Sequence, residues 1–308
     1  MEGWQLQQRL SLPYEAKKEH AFKVAMEFHD YFDGMTYCSV GGIDSRTLLA
    51  FLRKNIDKNI PAVSVLSIEC KSNQRLISDI ENLIPVIPIK SQVEVIREYG
   101  FPVGSKDIAL AVSRLRHPTV KNAGTRNAYL TGIKSDGTFS KYMKLSKFAL
   151  KLVDAPFETS PMCCYYMKEE PLNRYSKESG RRPFMGILAD ESFRRRGSYI
   201  RTGCNSFKKR GARSWPFAIF TKSDVLRMAL ELGVEPGEEY GSIIQNSDGT
   251  YTTTRAKRSG CPICGFGLHL EERPHRFDRI NEEDPRKYDF LINTLGWGKV
   301  MDYIGVEY

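Results

Sequence analysis

Between Met35 and Gly100, short apolar runs alternate with stretches of helical spacing, and this alternation constrains the fold more than any other feature of the chain. The order is MTYCSV (strand), a glycine turn, SRTLLAFLRKN (helix), PAVSVLSIE (strand), RLISDIENL (helix), IPVIPI (strand) and QVEVIREYG (helix). Strands separated by helices cannot close as hairpins; they cross over and pair in parallel, with helices covering the sheet. The expected fold class is therefore α/β, a doubly wound, mainly parallel, Rossmann-like sheet. At 308 residues and 41% apolar composition the chain can bury a substantial core.

Upstream, EAKKEHAFKVAMEFHDYF sets Ala21, Val24, Ala25, Phe28 and Phe32 near one side of a helix. Residues 105–153 read as mostly helical, while RRPFMGIL and WPFAIF read as two further short strands. Beyond Glu235 the chain is rich in Gly, Asp, Thr and Arg, with no clear period until DPRKYDFLINTLGWGKVMDYIG. There is no internal repeat or low-complexity linker. The expected division is a helical segment over 1–33, a nucleotide-binding α/β domain over 34–234, and a cysteine-containing C-terminal region over 235–308 packed on it.

The turn SVGGIDS joins the first strand directly to a helix. Such a junction aims several backbone N–H groups, reinforced by the helix dipole, at one point and favours an anion there. Gly41 and Gly42 allow close backbone approach to phosphate, Ser39 and Ser45 can donate hydroxyl hydrogen bonds, and Asp44 can cap the helix or help hold magnesium. The stretch is not a Walker loop, which would need Gly-Lys-Ser/Thr.

Forty-six basic residues against 37 acidic ones give a formal +9, with clusters in SFRRRGSYIRTGC, NSFKKRGARSW and TTTRAKRSGC. These suit polyanions, nucleotide phosphates or a nucleic-acid backbone, and the alternative is a solvated basic face. No run approaches the roughly 18 apolar residues of a membrane span, and the N-terminus lacks a signal peptide's apolar centre, so no membrane partner is expected and the reading is cytoplasmic.

Seven cysteines in such a chain argue against a disulfide framework. The tandem Cys163-Cys164 and the Cys261-Pro-Ile-Cys264 knuckle read as metal ligands, and Cys204 in TGCN is a fifth candidate, four of the five being needed. A 4Fe-4S cluster is the first expectation, with zinc as the alternative. Cys38 and Cys70 read as small buried apolar residues.

The glycine turn is similar to the PP-loop of the adenine nucleotide alpha hydrolase superfamily, Ser-Gly-Gly-x-Asp-Ser, with Val40 at the first Ser and Ile43 at the variable position. In order, SPMCCYYMKEEPLNRY, MGILADESFRRRGSYIRTGCNSF, SWPFAIFTKSDVLRMA and SGCPICGFGLHLEERPHRF resemble the PAPS (phosphoadenosine phosphosulfate) reductase family, especially its phage and bacterial branch, and EYGFPVGSK fits the same series. The resemblance covers roughly residues 34 to 290. It implies ATP with magnesium on the loop, and it supports Cys163, Cys164, Cys261 and Cys264 as cluster ligands. Cys204 is then left to replace one of them or to carry sulfur as a persulfide.

The resemblance also implies that Lys168, Arg194, Arg195 and Arg201 face an anionic substrate, that Glu191 and Ser192 match a Glu-Ser pair, and that His269, Arg276 and Phe277 follow the knuckle. A helix cap explains Ser192 equally well. Two departures stand out: no cysteine follows Cys264, and LSIECKSNQRL lacks the family's glycine after the second strand.

The expected function is an adenylating sulfurtransferase. Asp44, Ser45, Cys204 and Lys168 form its catalytic set, the partner is an adenine nucleotide or sulfonucleotide, and the resemblance adds DNA or tRNA as acceptor and a sulfur donor protein. The rivals are a sulfonucleotide reductase using Cys204 and a non-catalytic nucleotide- or nucleic-acid-binding accessory of a phage or defence system.

Overall fold

The computed structural model describes residues 2–208, 210–256 and 260–308. Of the basic clusters named above, Lys209, Lys257 and Arg258 lie outside the described residues. The chain forms two compact units, each made of two separate segments: Met1–Ile87 with Pro171–Gly260, and Pro88–Glu170 with Cys261–Tyr308. These units divide the chain at places other than the 33/34 and 234/235 boundaries of the linear division. The chain leaves the first unit after its third strand and completes that unit's sheet only on returning.

Unit 1 is built on a six-stranded sheet whose spatial order is Leu83–Pro85, Ala62–Ser64, Thr36–Ser39, Arg182–Met185, Arg213–Ser214, Asn205–Ser206. All neighbours pair in parallel except the last two. Cys38 stands opposite Ala62 on one side and Phe184 on the other, and all three are fully buried, as interior parallel strands require.

Helices Tyr14–Tyr31, Ile43–Asn55 and Lys222–Glu231 belong to the same unit. The first buries Ala21, Val24, Ala25 and Phe28, the expected stripe, and Phe28 meets Phe184 edge-on at 5.2 Å between ring centroids. Architecture and class are thus the expected α/β arrangement.

One strand expectation fails. Trp215–Phe220 is a buried turn instead, held by the Ala218 N–H on the Trp215 carbonyl and the Phe220 N–H on the Phe217 carbonyl, and the strand lies just before it at Arg213–Ser214. A continuous apolar run marks burial without fixing backbone conformation. A hairpin, Ile243–Gln245 with Tyr251–Thr253, occupies part of the aperiodic region.

Unit 2 is mainly helical, with one short parallel pair, Val103–Gly104 beside Gly265–Phe266. Its core gathers around the fully buried Trp297, against Phe101 and Phe277 at 5.0 and 5.1 Å. Gly265, next to the cysteine knuckle, sits where a Cβ would come within 2.5 Å of the Trp297 ring and 2.8 Å of the Pro102 carbonyl. Only glycine lets that strand approach the core so closely.

Candidate functional site

In unit 1 the Thr36–Ser39 strand is the switch point of the sheet, since its neighbours continue the chain in opposite directions, Ala62–Ser64 to one side and Arg182–Met185 to the other. In open α/β sheets the crevice at the carboxyl end of such a strand is where ligands bind. That end carries Val40, Gly41 and Gly42, and the helix opens at Ile43 with Gly42 as its N-cap and no side-chain cap. The first-turn N–H groups have no intrahelical acceptor.

The loop is held from several sides. Ser45 Oγ accepts from the Gly41 N–H at 2.8 Å and donates to the Gly42 carbonyl at 3.0 Å. Asn73 Nδ2 donates to the Gly41 carbonyl at 3.1 Å and to Glu69 Oε2 at 2.6 Å. Gly186, after the neighbouring strand, lies so close that a Cβ there would meet Ser45 Cα at 2.8 Å and its N at 2.9 Å. Val40 and Ile43 are buried, which is why these positions tolerate apolar side chains.

Asp44 forms an ion pair with Lys222, Nζ to Oδ1 2.6 Å, and Lys222 lies over the Tyr240 ring at 5.4 Å. The loop has no cation of its own, so the fold brings one from the first turn of the Lys222–Glu231 helix. Sequence reading missed Lys222 as well as Glu69, Asn73 and the buried Arg46, whose Nη1 donates to the Glu235 carbonyl at 2.7 Å. Nearby, Ser72 donates to Glu239 at 2.6 Å and touches the Cys70 thiol at 3.4 Å. Burial first, with Glu239 adding to it, pushes that thiol up to about 11.

The arginine segment forms the helix Phe193–Thr202, capped by Ser192 Oγ accepting from the Arg195 N–H at 3.2 Å. Ser192 is therefore a cap. Arg195 pairs with Glu191 and Arg196 with Asp190, while Arg194 and Arg201 are exposed. Cys204, just past this helix, is buried in unit 1 with His20 Nε2 at 3.5 Å from its sulfur. Burial raises this thiol to about 11, with the Tyr199 hydroxyl and Arg9 opposing, and burial also lowers His20. Cys38 is sealed in the sheet, its thiol pushed up by burial.

The other four cysteine candidates belong to unit 2. Cys163 is raised chiefly by burial and further by Cys261, Cys264 and Cys164, so the four thiols feel one another. Burial and Cys261 raise Cys164, against Lys168 and Lys106; burial raises Cys264, against Arg276. Arg276 pairs with Glu271 and donates to the Cys264 carbonyl at 2.9 Å. His269 stacks on Phe148 at 4.1 Å and Phe277 fills the core, both packing roles.

Thiolate ligands flanked by cations suit a cluster or metal in donor chemistry and charge. Among the described residues, however, no group of three or more Cys, His, Asp or Glu side chains is drawn together as a ligand set. Lys168 stands with these thiols, exposed at the helical turn Tyr165–Glu169.

No protein-family model matches the chain, and no curated protein matches it. Among solved structures it is similar to a phosphoadenylyl-sulfate (PAPS) reductase from Candida auris, a phosphate complex, with a TM-score of 0.39 and 13% sequence identity over 78% of this chain and 98% of that one. No helix among the described residues is long and apolar enough to cross a membrane.

Proposed function

We propose that unit 1 binds an adenine nucleotide on the Ser39–Ser45 loop and that the protein is a PAPS reductase-like, PP-loop enzyme that activates an acceptor for sulfur transfer. The observation carrying this reading is the loop's position: a glycine turn at the carboxyl end of the switch-point strand, opening a 13-residue helix, with Asp44 tied to Lys222.

With ATP as substrate, an acceptor oxygen attacks the α-phosphorus, the bond to the bridging oxygen breaks, and pyrophosphate leaves with that electron pair. A sulfur nucleophile then displaces AMP from the acceptor. The first-turn N–H groups and helix dipole favour the departing pyrophosphate, Lys222 adds positive charge and orients Asp44, and Asp44 is the carboxylate suited to the nucleotide's magnesium. A 4Fe-4S cluster, or zinc, held by Cys163, Cys164, Cys261 and Cys264 would supply a thiolate-bound centre for handling sulfur.

The reductase alternative needs a reactive Cys204 thiolate, and a buried thiol raised to about 11 is neutral at pH 7. The accessory alternative draws on the buried apolar Val40 and Ile43.

Calorimetric titration with ATP and magnesium, alongside a pyrophosphate-release assay, tests the proposal. The expected result is binding by the wild type, weakened about tenfold in Lys222→Ala through loss of a charge-assisted contact. A wild type that does not bind ATP would overturn the reading. Binding with no pyrophosphate released, whatever acceptor is supplied, would leave the accessory role.

A further inference from the structure

A further strongly basic segment lies outside all of the motifs above. Residues 114–151 hold nine Lys and Arg against a single acid, Asp136, a net charge of +8 over these 38 residues. The segment lies wholly within unit 2. It runs from the end of helix Lys106–Arg116 through helix Ala123–Thr131 to helix Lys147–Lys151.

Between the last two helices the backbone folds into a tight loop. Ile133 and Phe139 form an antiparallel bridge, the Lys134 N–H donates to the Thr138 carbonyl at 2.9 Å, and the Ser140 N–H donates to the Gly132 carbonyl at 2.8 Å. The Leu145 N–H then ties the chain back to the Tyr129 carbonyl at 2.9 Å.

This ordered loop presents its rings outward. Phe139 is 67% and Tyr142 71% exposed, with Lys141 over the Tyr142 ring at 5.4 Å. Lys121, Lys134, Lys141, Lys144 and Lys147 are all exposed. A solvated basic face needs no aromatic rings in water, and a packing surface would bury them. Flat rings interleaved with lysines match one ligand chemistry, unpaired bases linked by phosphates: the rings stack on base faces and the ammonium groups follow the backbone. A duplex hides those base faces.

We propose that residues 114–151 form a binding surface for a single-stranded polynucleotide, with Phe139 and Tyr142 as its stacking platform. The inference supplies the acceptor class for the function proposed above, yet it rests on this surface alone and is tested without nucleotide, so the two can fail separately.

The experiment is fluorescence anisotropy with a labelled 20-nucleotide oligo(dT) across a salt series, on the full chain without ATP. Lys141→Ala/Lys144→Ala/Lys147→Ala is expected to weaken binding and to reduce the slope of log affinity against log salt by about 2, at roughly 0.7 per phosphate contact. Phe139→Ala/Tyr142→Ala is expected to weaken binding about tenfold or more with the salt slope unchanged. The charge-matched triple Lys54→Ala/Lys58→Ala/Lys299→Ala, also on exposed lysines, should leave binding intact.

The lysine variant changes only exposed side chains, so its result stands even if the ring variant fails to fold, which circular dichroism checks. No binding by the wild type overturns the proposal. So does an equal loss in the control triple, equal affinity for a duplex with no effect of the ring variant, or binding to phosphatidylserine vesicles in place of the oligonucleotide.

Discussion

Burial and the Tyr199 hydroxyl act in opposite directions on the Cys204 thiol, and burial wins, holding it at about 11. The unfolded thiol ionises first, near its ordinary value, so between roughly pH 9 and 11 the unfolded state holds fewer protons than the native one. The stabilising contribution of the buried neutral thiol is therefore complete below about pH 9 and is lost as pH rises through about 11, by up to roughly 3 kcal/mol. Urea unfolding at pH 8 and pH 11 should show wild type losing more stability than Cys204→Ser, and equal losses would refute the assignment. At this scale the sequence displayed Gly41, Gly42, Asp44 and Ser45 because they are contiguous. It could not display Lys222, which reaches Asp44 across 178 residues. TKSD announces only a capped helix start, which Thr221 and Asp224 provide, and nothing in that signature says where its lysine points.

At the scale of elements, the junction between strand Thr36–Ser39 and its helix depends on a neighbour. Gly186 follows the adjacent strand, and any side chain there meets the backbone of Ser45, a contact no rotamer change can relieve. Gly186→Ala is expected to cost about 1–3 kcal/mol in thermal or urea unfolding and to weaken ATP binding by moving the helix start. Unchanged stability and unchanged binding together would show that the junction gives way freely. Elements with a clear period were legible: the strand at Thr36–Ser39, the helices at Ile43–Asn55 and Gln92–Tyr99, and the buried stripe of Tyr14–Tyr31. Trp215–Phe220 was misread because uninterrupted apolar residues fit a buried turn as well as a strand. The hairpin at Ile243–Thr253 was missed although Asn246-Ser-Asp-Gly249 is turn chemistry; its strands are only three residues each and too short to show alternation.

For the whole molecule, the first crossing between units was invisible to composition, because it lies inside the apolar run IPVIPI with no polar or glycine-rich linker. Each half of unit 2 is incomplete: Val103–Gly104 pairs with Gly265–Phe266, and the core around Trp297 draws on both segments. A chain cut after residue 260 should therefore keep unit 1 resistant to limited proteolysis while residues 88–170 become rapidly cleaved, as mass spectrometry of the fragments would show. Continued protection of 88–170 would mean that this segment folds alone.

The same interleaving sets an order of events at the ribosome. Cys163 and Cys164 are translated about a hundred residues before Cys261 and Cys264, a delay of roughly 5–20 s at ordinary synthesis rates. During that interval the early pair belongs to a half-built unit, and the cluster or metal proposed above for the four thiols could be inserted only after the knuckle has emerged.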